Sequence, residues 1–121
     1  MQNQENETKN IFESKSFKFA VRIVNLYKHL TENKKEFVLS KQILRGGTSI
    51  GANVSEAQKG QSKSDFNAKM NIALKEANET EYWLRLLYET DYISEKEFNS
   101  IEPEVKEIIA ILVAICKKTN I

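Results

Sequence analysis

Polar residues recur at helical spacing between residues 45 and 57, and this pattern most constrains what the chain can fold into. At about 100° per residue, one helix face carries four polar side chains spaced i, i+4, i+8 and i+11: Arg45, Ser49, Asn53 and Glu56. The roughly opposite face carries Leu39, Ile43, Ile50, Val54 and Ala57. The segment therefore predicts an amphipathic helix that ends near Gln58.

Three glycines lie inside this helix. Gly46, Gly47 and Gly51 each cost about 1 kcal/mol relative to alanine in a helix, so packing must compensate for them. Gly47, Gly51 and Ser55 lie at i, i+4 and i+8, which predicts a smooth groove for a neighbouring helix from the same chain or another subunit. A phosphate-binding loop is the alternative, but no strand precedes the glycines and the lysine-serine pair of such loops is missing.

Apolar stripes predict a first and a third helix around this one. The first begins near Phe12 and gives way to the polar run of residues 31–35. The third begins at Ser62 and Asp65, which have the spacing of an N-terminal capping pair, after a left-handed terminator at Gly60.

A fourth stripe follows the capping pair Ser94 and Glu97 and continues to the end of the sequence. Proline lacks the amide donor, so Pro103 predicts a short helix over residues 95–101 and a new start at residue 103, with a kinked single helix as the alternative. Helices joined by loops this short pack antiparallel. The fold class is therefore all-α, an antiparallel up-down-up-down four-helix bundle.

Length and composition favour one domain. The chain has 121 residues, of which 40% are hydrophobic and 29% charged, enough for a single core. Residues 1–10 are polar and without periodicity, which predicts a flexible tail ahead of a bundle domain of residues 11–121. A single cysteine, Cys116, excludes an internal disulfide, and its apolar setting predicts an inert thiol.

No opening succession of basic, apolar and small residues resembles an export signal, so a soluble cytoplasmic protein is expected. The longest apolar run, residues 108–116, is well short of the roughly 20 residues that a membrane-spanning helix needs. We therefore expect no membrane partner.

Charge is distributed unevenly although the net charge is +1. Residues 15–75 hold twelve Lys or Arg against four acids, a charge of +8, whereas residues 76–107 hold three against ten, a charge of −7. In an up-down bundle, one end would gather the lysines that we assign to nucleic-acid binding: Lys15, Lys18, Lys59, Lys63 and Lys69, with Lys117 and Lys118. Such an end suits the phosphates of RNA or DNA; an ordinary solvated surface is the alternative.

Two helices carry a second apolar stripe, on the side away from the core. On the third helix the stripe contains Ile72, Tyr82, Trp83 and Leu86, and on the first it contains Phe17, Val21 and Val24. Exposed patches of this size usually mark contacts, so we predict a homo-oligomer with these residues at its interface. The alternative is that Trp83 only covers the edge of the bundle.

A polar cluster between the second and third helices is the candidate for chemistry. It would contain Ser49, Asn53, Glu56, Glu76 and Glu81. Carboxylate-bridged di-metal bundles need a Glu-x-x-His element, but the only histidine, His29, has no acidic residue three positions before it. We therefore predict hydrogen bonds between helices here, and no catalytic residue, metal or cofactor.

The same residues resemble a known family. The resemblance rests on Arg45, Ser49-Ile50 and residues 53–56, and on residues 66–84 with the runs Ile72-Ala-Leu-Lys-Glu-Ala77 and Glu79-Thr-Glu-Tyr-Trp-Leu84. It covers most of the chain and is to the 23S rRNA intervening-sequence proteins, which are similar in turn to the accessory variability determinant of diversity-generating retroelements. The resemblance assigns Arg45, Ser49, Asn53, Glu56, Glu76 and Glu81 to a family motif.

What this resemblance implies is a bacterial four-helix bundle that assembles as a pentameric ring, with a nucleic-acid-binding relative. Combined with the charge distribution, it predicts a non-enzymatic ring-forming bundle that contacts RNA or DNA through its lysine-rich end. A protein-interaction scaffold without a nucleic-acid role is the alternative. No small-molecule substrate is expected.

Overall fold

Four long helices make up the computed structural model, which describes the backbone of residues 2–119 and the side chains of residues 9 and 11–118. In chain order they are α1 (Gln2–Glu32), α2 (Leu39–Gln58), α3 (Lys63–Glu89) and α4 (Glu95–Thr119). No strand occurs within residues 2–119, so the predicted all-α class is confirmed.

Contacts between the helices show that α2 runs antiparallel to α3 and that α1 runs antiparallel to α4. From α2 to α3, Arg45 pairs with Glu76 while Glu56, further along, pairs with the earlier Lys69. From α1 to α4, Lys15 pairs with Glu107 and the later His29 lies beside the earlier Glu97. With the short turns between the helices, this order gives the predicted up-down-up-down four-helix bundle.

The core lies between the four predicted apolar stripes. Its fully buried large side chains are Phe19, Ile23, Leu30, Ile43, Ile50, Val54, Met70, Leu84, Leu87, Val105, Ile108 and Leu112. Each helix contributes to this set, because residues spaced three and four apart share one helix face. Burial of a side chain of this kind typically contributes about 1.5–3 kcal/mol, so this core is the main source of stability.

α2 begins without help from the residue at its cap. Val38 occupies the N-cap position and offers no side-chain acceptor. The carboxylate of Glu36 reaches forward instead and accepts hydrogen bonds from the backbone N–H groups of Val38, Leu39 and Ser40 at 3.1, 3.0 and 2.7 Å. Three of the four amides that a helix start leaves unpaired are thereby satisfied.

The predicted helix starts at Ser62 and Ser94 are confirmed. The Ser62 hydroxyl accepts from the Asp65 N–H at 3.0 Å, and Ser94 and Glu97 exchange two hydrogen bonds in a full capping box. α3 ends at Glu89, and Asp91, two positions later, has a left-handed φ of 67°. The N–H groups of Asp91 and Tyr92 return to the carbonyls of Tyr88 and Leu87, as in a Schellman motif.

Three details differ from the sequence-based predictions. α1 begins at Gln2 rather than near Phe12. Gly60 has no positive φ, because α2 ends through Lys59 with a φ of −100°. Pro103 does not divide the last segment, since α4 is one helix that contains it, and the single-helix alternative is therefore correct.

Contacts that α4 makes with α1 stabilise the helix around Pro103. The Arg22 guanidinium donates to the Ser100 carbonyl at 3.0 Å and to the Ser100 hydroxyl at 2.9 Å, in the turn that Pro103 interrupts.

The predicted tail of residues 1–10 stays a prediction: its backbone continues α1 from Gln2, and apart from Lys9 its side chains lie outside the described residues.

Candidate nucleic-acid interface

Two of the family-motif residues, Arg45 and Glu76, meet in the groove between α2 and α3. Arg45 donates to both carboxylate oxygens of Glu76, at 3.3 and 3.2 Å, and lies 3.6 Å from Glu79. The Glu76 side chain is largely buried, whereas Arg45 is exposed. The Thr80 hydroxyl donates to the Glu76 carbonyl at 2.7 Å, so this part of the groove forms one polar network.

The rest of the motif does not join this network. Asn53 bonds within α2, where its amide donates to the Ser49 carbonyl and hydroxyl at 2.9 and 3.1 Å. Glu56 pairs with Lys69 at 3.1 Å near the end of α2, and the half-buried Glu81 has no ion pair within the described residues. The motif is thus a row of separate local contacts, of which those of Arg45 with Glu76 and Glu79 and that of Glu56 with Lys69 link helices.

The described residues form neither a metal site nor a site with a reactive thiol. Among residues 9 and 11–118, no three His, Cys, Asp or Glu side chains group closely enough to hold a metal ion. Cys116 is buried, and burial raises the pKa of its thiol, which keeps it protonated and weakly nucleophilic at neutral pH.

The glycines of α2 allow its backbone to lie close to both neighbouring helices. A Cβ atom on Gly47 would lie 2.7 Å from Ile23 of α1, and one on Gly51 would lie 3.2 Å from the Ser16 carbonyl. On the other side, a Cβ atom on Gly46 would lie 3.0 Å from the Thr80 hydroxyl of α3. The groove predicted at Gly47 and Gly51 is therefore occupied by α1 of the same chain.

Five lysines were assigned to nucleic-acid binding, and the structure places them at two different heights along the axis of the bundle. Lys59 and Lys63 flank the exposed turn between α2 and α3, where no carboxylate of the described residues lies within 4 Å of either ammonium group. Lys69 lies near the same end but pairs with Glu56. This turn is the most available positive surface of the assigned set.

Lys15 and Lys18 lie further from that end than expected, because α1 continues past them towards Gln2. Lys15 pairs with Glu107, eleven positions before Lys118, which at 1.5 Å per residue places it about 16 Å from the last turn of α4. Lys18 is exposed beside Lys15 and lines the same shallow cleft. Lys18 extends the positive surface down one side of the bundle, whereas the charge of Lys15 is offset by Glu107.

The stripes assigned to a subunit interface are only partly exposed. Phe17 is 68% exposed and Tyr82 56%, and Val21 and Ile72 are also exposed. Trp83 and Leu86 are half-buried, and the Trp83 ring packs against the core with its edge to Tyr82. Val24 is also half-buried, so the exposed apolar surface is carried by four of the seven assigned residues.

Sequence reasoning missed the contacts between α1 and α4. A cleft of about 540 Å³ separates these helices, and Arg22, His29, Glu97 and Ser100 lie along it. Arg22 pairs with Glu104, and the His29 Nε2 atom lies 3.7 Å from Glu97. The seven-residue spacing of Lys15, Arg22 and His29 is the signal that would have located this edge.

The fold and this distribution of charge define a class of small, charged four-helix bundles whose described helices include none long and apolar enough to cross a membrane. A model of the 23S rRNA-intervening sequence protein family matches residues 8–114, and the chain belongs to this family. The resemblance stated from the motif residues is thereby confirmed.

One solved structure shows the same fold. It is the crystal structure of a protein with unknown function from the S23 ribosomal protein family of Bacteroides thetaiotaomicron, with 59% sequence identity and a TM-score of 0.87. The match covers 90% of this chain and 97% of that one. No curated protein matches the chain.

Proposed function

We propose that this protein is a non-enzymatic, ring-forming bundle of the bacterial cytoplasm that binds RNA or DNA through the lysine-rich end. The observation that carries the proposal is the exposed turn of residues 59–63, whose two lysines have no carboxylate within 4 Å among the described residues. Ammonium groups without such partners are free to replace the counterions of a phosphate backbone.

Other lysines support the same surface. Lys117 and Lys118 are exposed in the last turn of α4, which reaches the same end of the bundle. Lys18 is exposed along α1 with no carboxylate within 4 Å among the described residues, whereas Glu56 and Glu107 offset the charges of Lys69 and Lys15. Contacts of this kind position phosphates without reading sequence, so we expect salt-dependent binding with little sequence preference.

Ring formation is supported by the two exposed apolar stripes, because they are different surfaces of one subunit. Phe17 and Val21 lie on α1, and Ile72 and Tyr82 lie on α3. Two unlike patches that meet between copies give a head-to-tail interface, which closes into a ring when the rotation permits. The pentamer is the ring size that the family resemblance implies.

The charge contribution is tested by replacing Lys59 and Lys63 with glutamine and measuring RNA affinity by fluorescence anisotropy across a salt series. We expect weaker binding. We also expect a smaller slope in a plot of log Kd against the logarithm of the salt concentration, by about 0.7 to 0.9 for each phosphate contact that is lost. The matched control is Lys75→Gln with Lys106→Gln, which changes the net charge equally away from this end.

Equal losses in both double variants would contradict a localised surface. A wild-type protein that binds neither RNA nor DNA at low ionic strength would favour the second candidate function, a protein-interaction scaffold. The exposed Ile72 and Tyr82 are the observation that favours this candidate.

A further inference from the structure

The loop between α1 and α2, at the other end of the bundle, presents two apolar side chains to solvent. Phe37 is 53% exposed and Val38 is 71% exposed, although both belong to residue types that folding usually buries. Neither side chain is part of the core or packs against it. The fold therefore gives no reason for an aromatic residue at position 37.

Hydrogen bonds hold this loop in one conformation. The N–H of Glu36 donates to the Leu30 carbonyl at 2.9 Å, and Lys35 has a left-handed φ of 54°. The buried Glu36 then holds the start of α2 through three amides, and the Ser40 hydroxyl donates to the Glu36 carbonyl at 2.9 Å. Phe37 is thus preorganised, so its side chain binds a partner with little loss of backbone entropy.

Capping does not explain the apolar residues either. Ser, Thr, Asp or Asn at the N-cap would stabilise α2 by about 1 kcal/mol, yet Val38 occupies that position and Glu36 does the capping. The loop keeps its shape without any contribution from the Phe37 and Val38 side chains.

Three lysines lie within four positions of Phe37 in the sequence. Lys34, Lys35 and Lys41 are exposed, and none has a carboxylate within 4 Å among the described residues. The charge of Glu36 is directed inward onto the α2 amides. Exposed acids also lie at this end of the bundle: Glu32, Glu89, Asp91, Glu95 and Glu97. Hydrogen bonding with Ser94 lowers the pKa of Glu97, and the nearby charges of His29 and Lys34 lower it further.

An exposed aromatic ring among lysines is the combination that binds unpaired nucleotides, because each base has a face for stacking and each phosphate a charge. We propose that Phe37 stacks on an unpaired base of a single-stranded nucleic acid while Lys35 and Lys41 contact the adjacent phosphates. This inference rests on the proposed nucleic-acid binding and adds a second site with a different preference: single strands rather than phosphates alone.

The test compares a single-stranded RNA with an RNA duplex of equal length, using the full chain and anisotropy at fixed salt. We expect Phe37→Ala to weaken single-strand binding by about 5-fold to 100-fold, the usual effect of removing one stacking partner, with duplex affinity unchanged. Phe37→Tyr retains a stacking ring and should keep wild-type affinity. Because the side chain is exposed, these variants should keep wild-type helical content by circular dichroism.

A second readout is direct. Phe37→Trp places an indole in the loop, and stacking on a base should quench the added fluorescence when single-stranded RNA is titrated in. Absence of that quenching, or an alanine variant with unchanged single-strand affinity, would overturn the loop assignment. If the Lys59 and Lys63 variants then still weaken RNA binding, the proposed function stands without this second site.

Two further outcomes would also overturn it. The first is a wild-type protein that binds no RNA, which removes the proposed function as well. The second is binding of the loop to vesicles of phosphatidylcholine and phosphatidylserine, lost in Phe37→Ala, with no preference for single-stranded RNA; that would assign the loop to an anionic membrane surface.

Discussion

At the scale of single residues, Glu36 replaces a helix cap from outside the helix. Its carboxylate is buried and accepts three backbone amides, whereas the cap residue itself is a valine. Burial raises the pKa of Glu36, but the hydrogen bonds from Ser40, Leu39 and Val38 outweigh it, so the pKa lies below its ordinary value of 4.5. One side chain thereby connects the loop conformation to the start of α2.

We expect Glu36→Gln to lower the free energy of unfolding by about 1–2 kcal/mol at neutral pH, because one carboxylate oxygen becomes an amide that faces other donors. Folding lowers the pKa, so the unfolded chain binds more protons and the stabilisation is complete only above pH 4.5. It is lost as the pH falls through the folded pKa. Urea denaturation across pH should show the two proteins converging in acid.

The control is Glu89→Gln, at an exposed position with no ion pair among the described residues. We expect its stability to stay within about 0.5 kcal/mol of wild type. A Glu36 variant whose deficit did not shrink in acid would show that the lost interaction does not depend on the carboxylate charge.

At the scale of the elements, α2 packs closely against two neighbours, α1 and α3. Gly47 and Gly51 bring its backbone against α1, and Gly46 brings it against α3. The glycines therefore shorten two helix-helix distances at once, and their poor helix propensity is compensated by packing.

Gly47→Ala tests this close approach. The added methyl group would meet Ile23 at 2.7 Å, and we expect a net loss of about 1–2 kcal/mol even though alanine favours the helix. The double variant with Ile23→Ala should lose less than the sum of the single losses, because removing the isoleucine makes room. Additive losses in chemical denaturation would mean that the two residues do not meet.

The helices, their caps and their buried faces follow from local patterns, and these were predictable. Ser62 and Ser94 are capping signals that act within one turn, and the stripes through Ile50 and Leu84 repeat at helical spacing. Pro103 was misjudged because the sequence does not show that Arg22 of another helix contacts its turn. The α1 start was missed because the backbone before Phe12 is helical without an apolar stripe.

The candidate site was less predictable, because it depends on the register between helices. Lys15 was expected at the end of the bundle, but its level is decided by the pairing with Glu107. Exposure of Phe37 depends on a loop that Glu36 shapes. The sequence shows three consecutive apolar residues there, Phe37, Val38 and Leu39, and does not show which of them solvent reaches.

At the scale of the whole molecule, exposed apolar residues lie on two separate helices and the lysine-rich turn lies at one end. Phe17 and Val21 of α1 and Ile72 and Tyr82 of α3 project from the bundle, outside the core. An assembly that buried these stripes would repeat the turn of Lys59 and Lys63 once per subunit, and multivalent contact would strengthen binding to a long polyanion.

We expect the wild type to have a solution mass several times that of the 14.0 kDa chain. Ile72→Glu with Tyr82→Glu should reduce the mass measured by light scattering without loss of helical content, because both side chains are exposed and a buried charge opposes association. Trp83 is a poorer choice for this substitution, since it packs against the core.

The control places a charge on an exposed position of α4, Ala110→Glu, and should leave the mass unchanged. A wild-type protein that elutes and scatters as a single 14.0 kDa chain would contradict the assembly proposal.

The side of the bundle between α1 and α4 has a consequence for its motions. These helices meet far less than the other neighbouring pairs, and Lys15, Arg22 and His29 reach across to Glu107, Glu104 and Glu97. Such partly exposed pairs weaken as counterions accumulate, whereas apolar packing does not. We therefore expect rising ionic strength to weaken this edge more than the contacts of α2 with α1 and α3.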